Sequence, residues 1–382
     1  MPLDPPVDLA TLAAPVQRIL GPATPQPLRV MAARGAAPGL KPDQLVTVVA
    51  LLARAGLEHV SADVREVAEA TLGALPAPIL LGAAGSADTP PGVLDLLATA
   101  YAGDVEVLEK IVFNPGVAID TVARLAREGS EKVTEMIATN EERLLRHPSL
   151  IKCLYMNKRT RMSTADRVLD LAVRNGKQVD IPAFKEAAEA IVEELIAAPD
   201  AEPTPDDLLF AEAQAEGERL EREGVLHQTV VEDEEGKEVV EEKAKSLEQR
   251  IRDMTVSQKI RTAMLGTAAA RALLVRDKNK LVSSAVVRSP LLQESEAASI
   301  SASRSVSEEV LRLLASNGDL VKSHTIKFNL VANPRTPVAI ALRLLTHLRA
   351  DELKKLAKSK GVAAQVAKMA KQELSKKKPG DG

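Results

Sequence analysis

The sequence predicts an all-α protein, an α-solenoid of short antiparallel helix pairs in two segments joined by an acidic connector. Three observations carry this. Aromatic residues make up 2% of the 382 residues, as four Phe, two Tyr and no Trp. β-Sandwiches and barrels lean on aromatic and β-branched residues, whereas the Ala, Leu and Val that dominate the apolar stock suit thin layers between helices. Helix-start signals recur along the whole chain. An Asn-centred motif also returns at a nearly constant interval.

The first clear start is Lys41-Pro42-Asp43-Gln44, with Pro at N1 and an acid in the first turn, ahead of the apolar run 45–55. Four later starts fit the capping box, in which a hydroxyl caps the N3 amide and the N3 side chain reaches back. They pair Thr139 with Glu142, Ser163 with Asp166, Thr255 with Gln258, and Ser305 with Glu308. After Ser305 the apolar residues Val306, Val310, Leu311, Leu313 and Leu314 keep helical spacing up to Asn317-Gly318, a stop signal.

The recurring motif is an apolar pair, one residue, then Asn. It reads Ile111-Val112-Phe113-Asn114-Pro115, Leu154-Tyr155-Met156-Asn157 and Leu330-Val331-Ala332-Asn333-Pro334. Asn is expected to cap the helix that follows, with Pro at N1. Asn114 and Asn157 are 43 residues apart, and Ser289-Pro290 precedes Asn333-Pro334 by 44. Helix pairs repeating in the low forties suggest stacked repeats.

The segment Asp63-Val64-Arg65-Glu66-Val67-Ala68-Glu69-Ala70-Thr71-Leu72 resembles the second helix of a HEAT repeat. The Asn-Pro units are similar to degenerate HEAT-like or leucine-rich-variant repeats of bacterial proteins. That resemblance implies an architecture and says little about activity; by family habit it implies mostly a scaffold, adaptor or regulator, with a few members that act on DNA or modify cofactor-bearing proteins.

Charge divides the chain more sharply than any motif. The net charge of −3 conceals −1 over residues 1–185, −16 over 186–248 and +14 over 249–382. The expected organisation is an N-terminal repeat domain over 8–198 and an acidic, partly disordered connector over 199–247. A basic repeat domain over 248–375 and a disordered tail over 376–382 complete it. Within the connector, 206–223 has helical composition. Thr229-Val230-Val231 and Val239-Val240 flank a turn-like stretch, which reads either as a small hairpin or as a solvated segment.

Signals for catalysis are missing. No phosphate loop, GxGxxG, HExxH or nucleophile elbow occurs. The five histidines have no metal-ligand spacing. The lone Cys153 excludes an internal disulfide and a Cys-based zinc site, and its apolar neighbours suggest a buried thiol. No cofactor or metal is expected. The N-terminus lacks a basic and apolar leader, and no apolar run is long enough to span a bilayer, so a cytoplasmic protein without a membrane partner is expected.

The functional lead is the basic C-terminal unit, through Arg271, Arg276, Lys278, Lys280, Arg288, Arg304, Lys322, Lys327 and Arg335. In a repeat array equivalent positions align, so these charges would form a surface for an anionic partner. The alternating serines 299–307 around Arg304 are read as a turn leading into the Ser305 cap. The leading expectation is a non-enzymatic scaffold or adaptor that binds another protein, with the acidic connector lying against the basic unit, either gating its surface or fixing the angle between the halves. Two alternatives stand beside it. One is nucleic-acid binding by the basic unit through phosphates, since stacking aromatics are scarce there. The other is an enzyme with a cryptic site between helices. The scattered aromatics are expected to be core wedges.

Overall fold

The computed structural model describes residues 3–54, 56–192, 203–224, 230–232, 238–359 and 361–377. Among these residues the fold is all-helical, with 24 α-helices and one two-stranded sheet. The chain forms two compact units, Met1–Lys177 and Gln178–Gly382.

The first unit runs α1 (Ala14–Leu20), α2 (Gln26–Ala33), α3 (Pro42–Arg54), α4 (Ala62–Leu72), α5 (Ala77–Gly85), α6 (Pro91–Ala100), α7 (Val105–Val112), α8 (Ile119–Glu128), α9 (Glu131–Ala138), α10 (Glu141–Arg146), α11 (Ser149–Met156) and α12 (Met162–Arg174). Proline in the first turn starts α1, α2, α5 and α6, where its missing N–H has no helical acceptor to lose. Residues Leu45 to Ala53 of α3 are buried all round, as in the centre of a layered packing. Helix α3 lies against α1, α4 and α5; α5 packs on α7, α7 on α9, and α8 on α11.

The second unit runs α13 (Phe184–Val192), α14 (Pro205–Arg222), β1 (Val230–Glu232), β2 (Glu238–Val240), α15 (Lys245–Asp253), α16 (Val256–Leu265), α17 (Ala268–Leu274), α18 (Lys280–Val287), α19 (Glu294–Ala302), α20 (Glu308–Ser316), α21 (His324–Ala332), α22 (Val338–Leu345), α23 (Ala350–Lys358) and α24 (Ala364–Lys377). The strands are antiparallel, pairing Val230 with Val240 and Glu232 with Glu238. Helices again contact their second neighbours: α16 on α18, α18 on α20, α19 on α21, and α22 on α24.

The unit boundary falls after Lys177 rather than near residue 198, because the buried Ala187, Ala190 and Ile191 of α13 face α16 and α18. The helical part of the acidic segment is well defined. Thr204 and Asp207 form a reciprocal capping box with Pro205 at N1 of α14. The hairpin reading holds for 230–232 and 238–240, while Thr229 lies outside the described residues. Of the expected tail, Lys376 and Lys377 end α24, and 378–382 lie outside the described residues.

Of the four expected capping boxes, Thr255 with Gln258 forms as read. Elsewhere the helix starts later or earlier. Asn140, not Thr139, accepts the Arg143 amide; Ser307, not Ser305, accepts the Val310 amide; and Ser163 lies inside α12.

The recurring asparagines do not cap the following helix. Each sits at the C-terminal end of the preceding one and is buried. Asn114 Nδ2 donates to the carbonyls of Ala84 and Ser86, both at 2.8 Å. Asn157 Nδ2 donates to Ala126 (3.0 Å) and Gly129 (3.1 Å), and Asn333 Nδ2 to Ser301 (3.0 Å) and Ser303 (2.7 Å). In each case Oδ1 accepts the amide two residues on, from Gly116, Arg159 and Arg335. Ser289 does half of this, donating to Met264 O at 2.7 Å and accepting from Leu291 N. The carbonyls at a helix C-terminus have no partner within the helix. An amide side chain with two donors satisfies two of them and fixes its own turn through its oxygen. These links reach back 28 to 32 residues, shorter than the 43-residue interval between the asparagines themselves.

Candidate functional site

The nine basic residues singled out in the sequence have unlike surroundings. Arg271, on α17, is 4% exposed. Its Nε and Nη2 meet the two oxygens of Glu296 at 2.9 and 3.0 Å, and Nη1 donates to Gly266 O at 2.6 Å. That side chain ties α17 to α19 and is not presented to a ligand. Arg288 pairs with Glu186 of α13, and Lys322 with Asp319 at 2.7 Å. Arg335 is exposed, with Nη1 3.3 Å from Val306 O. Lys278, Lys280 and Arg304 are exposed, and Lys327 is half-buried.

Arg276 and Arg304 converge on one carboxylate, that of Glu238 at the start of β2. Arg276 Nε and Nη2 lie 2.9 and 2.7 Å from Oε2. The Ser305 hydroxyl is 2.6 Å from Oε2, and Ser303 Oγ is 2.7 and 2.8 Å from Oε1 and Oε2. The Arg304 backbone amide donates to Oε1 at 3.0 Å. The Glu238 side chain is 14% exposed and Ser303 is 5% exposed. Burial by itself raises the pKa of this carboxyl; the hydrogen bonds from Ser305, Ser303 and Arg276, with the charge of Arg276, outweigh it and bring the pKa down to about 2. The site is therefore an oxyanion cradle made of a guanidinium, two hydroxyls and an amide, filled by the chain's own acid.

Helix α14 of the acidic segment packs on α15 and α17 of the same unit. Glu212 of α14 pairs with Arg250, and Glu216 accepts from Ser246, which draws its carboxyl pKa down. Glu221 accepts the Ala268 amide at 2.7 Å, at the first turn of α17. Phe210 lies 5.2 Å from the buried guanidinium of Arg261, a cation–π contact. At Gly217 the helix comes so close to Thr267 that a Cβ would stand within 3.0 Å of its side chain. Described acids of the −16 segment thus meet cations and amides of the +14 segment within one unit.

Sequence reasoning missed Glu238, Glu296 and Arg261. The hairpin residues and the serine alternation were both visible as signals, but nothing in the sequence links positions 238 and 303, 65 residues apart. Ser305 is a ligand of the carboxylate instead of a helix cap. Cys153 is half-buried. Among the aromatics, Tyr155 and Phe210 are core residues as expected, whereas Phe113 is 50% exposed.

The first unit holds a cavity of about 490 Å³ lined by residues including Asp43, Thr47, Thr89 and Gly116. Among the described residues no group of three or more His, Cys, Asp or Glu side chains is placed to hold a metal. None of the described helices is by itself long and apolar enough to cross a membrane. No protein family, curated protein or solved structure matches the chain.

Proposed function

We propose that this protein is a non-enzymatic helical-repeat scaffold of the solenoid kind that binds another protein, with its acidic segment covering part of the basic face of the second unit. One observation carries the reading: buried asparagines in both units make the same hydrogen bonds to a helix end 28 to 32 residues earlier. Equivalent side chains that link a helix end to the end of an earlier, non-adjacent helix suit a stacked array, and stacked arrays present extended surfaces to partners. Protein is favoured over nucleic acid because Arg271, Arg276 and Arg288 are spent on internal carboxylates. A phosphate-tracking surface needs its cations free. The HEAT-like resemblance of 63–72 supports the same reading.

The test is native affinity purification of the full chain beside a variant with Lys278, Lys280, Lys327 and Arg335 reversed to Glu. A protein held by the parent at physiological salt and lost by the variant supports the scaffold. Duplex DNA retained by the parent, with no protein dependent on those four cations, overturns it.

A further inference from the structure

We propose that Arg276, Ser303, Ser305 and the Arg304 amide form a recognition site for a Glu- or Asp-rich segment of a partner protein, which the resting chain fills with Glu238. The inference deepens the scaffold reading and rests on it for the identity of the partner as a protein.

The cradle has the features of a built site. It offers its donors from two directions: Arg276 and Ser305 to one carboxylate oxygen, the Arg304 amide to the other, and Ser303 between them. A planar two-oxygen acceptor matches that set. Ser303 is buried and Arg276 is only partly exposed. A carboxylate at the end of a slim side chain reaches such a recess, whereas a diester phosphate in a duplex backbone is held away from it.

The present occupant is tethered by little. Its strand has three residues and pairs with one other three-residue strand. A lone two-stranded ribbon is marginal on its own. Next to Glu238, Val239 is 40% exposed, so the hairpin is not locked in place by burial at that position. The internal acid, being on the same chain, competes at a high local concentration. Exposed Arg304 and Lys278 flank the recess in sequence and give a further acidic residue of the incoming segment something to meet.

The experiment uses the full chain and a short fluorescent poly-glutamate peptide, read by anisotropy. Glu238→Ala and Glu238→Gln are each expected to bind the peptide about tenfold or more tightly than the parent, since the competing internal group is gone. Adding Arg276→Gln to either is expected to abolish the gain. Inorganic phosphate should compete only weakly, and duplex DNA should gain nothing. If Glu238→Ala fails to fold, Glu238→Gln keeps the shape of the side chain and decides alone. On the parent chain, excess peptide should speed amide hydrogen exchange over 238–240. No gain in either variant, a gain that survives Arg276→Gln, or an equal gain for duplex DNA overturns the site. Such a failure beside an intact partner in affinity purification sinks this site alone; a peptide gain with no protein partner sinks the scaffold reading instead.

Discussion

The two units share one neutral device and differ in where their charged ties come from. In the first, side-chain amides and arginines that donate to backbone carbonyls join helix ends, beside ion pairs between helices such as Arg124 with Asp95 and Arg161 with Glu131. The amides are those of Asn114 and Asn157, and Arg143 donates to Val112 O at 2.6 Å, its pKa lowered by burial. In the second, Asn333 and Asn329 donate to carbonyls in the same way, and charges of the acidic segment add ties to the basic helices: Glu186 with Arg288, Glu212 with Arg250, and Glu238 with Arg276. A neutral hydrogen bond to an orphan carbonyl satisfies a group that has no other partner and is indifferent to salt. A half-exposed ion pair is weak, screened and exchangeable. The asparagine bonds are therefore the salt-indifferent ties, and the pairs made by the acidic segment are ties that another anion is able to replace.

The sharpest way to break this contrast is at the buried pair of Arg271 and Glu296. Arg271→Ala would remove both guanidinium bonds to Glu296, leaving that buried carboxylate with the Gln293 amide and no countercharge from Arg271, and would take the Arg271 donor from Gly266 O; a destabilisation of about 3–5 kcal/mol in urea unfolding is expected. A loss no larger than that of an exposed pair would show that the second unit has no structural ion pair.

Asn157→Ala and Asn333→Ala come next. Each removes two bonds to buried carbonyls and one to a turn amide, for an expected cost of about 2–3 kcal/mol in either unit. Equal costs would sharpen the view that one device serves both units. A cost confined to Asn157 would restrict the device to the first.

Gly217→Ala forces a methyl against Thr267 and is expected to cost about 1–3 kcal/mol, seen as earlier unfolding of the second unit.

The Glu238 carboxyl offers a smaller and more local test. Its folded pKa, about 2, lies below the ordinary value of 4.5. Its contribution to stability is thus fully present above pH 4.5 and is lost as pH falls toward 2. A carboxyl ¹³C titration should place its midpoint near 2; a midpoint near 4.5 would mean that the cradle does not hold it. At the bottom of the scale, Lys322→Ala should leave the melting temperature unchanged, because its pair with Asp319 is solvent-exposed.

The all-helical class was legible because apolar spacing and Pro-led starts are local signals. The Asn motif was legible as a recurrence but not in its role. Asn suits either end of a helix, and the orphan carbonyls it reaches lie about thirty residues upstream, where no local pattern points. The same holds for the candidate site. The charge asymmetry showed that acid and base would meet, yet Arg271, Arg276 and Arg288 looked alike in sequence. Only the fold gives them Glu296, Glu238 and Glu186 as partners. The acidic segment also contributes more than a link. Phe210, Ala213 and Leu220 of α14 are buried, so residues 205–222 belong to the second unit's core.

The contrast between neutral and charged ties is tested most directly by amide hydrogen exchange of the full chain as sodium chloride is raised. Exchange over 238–240 and at the Arg304 amide should accelerate with salt, while the amides of Gly116 and Arg159, held by asparagine oxygens, should not respond. The same salt response in both sets would contradict the account.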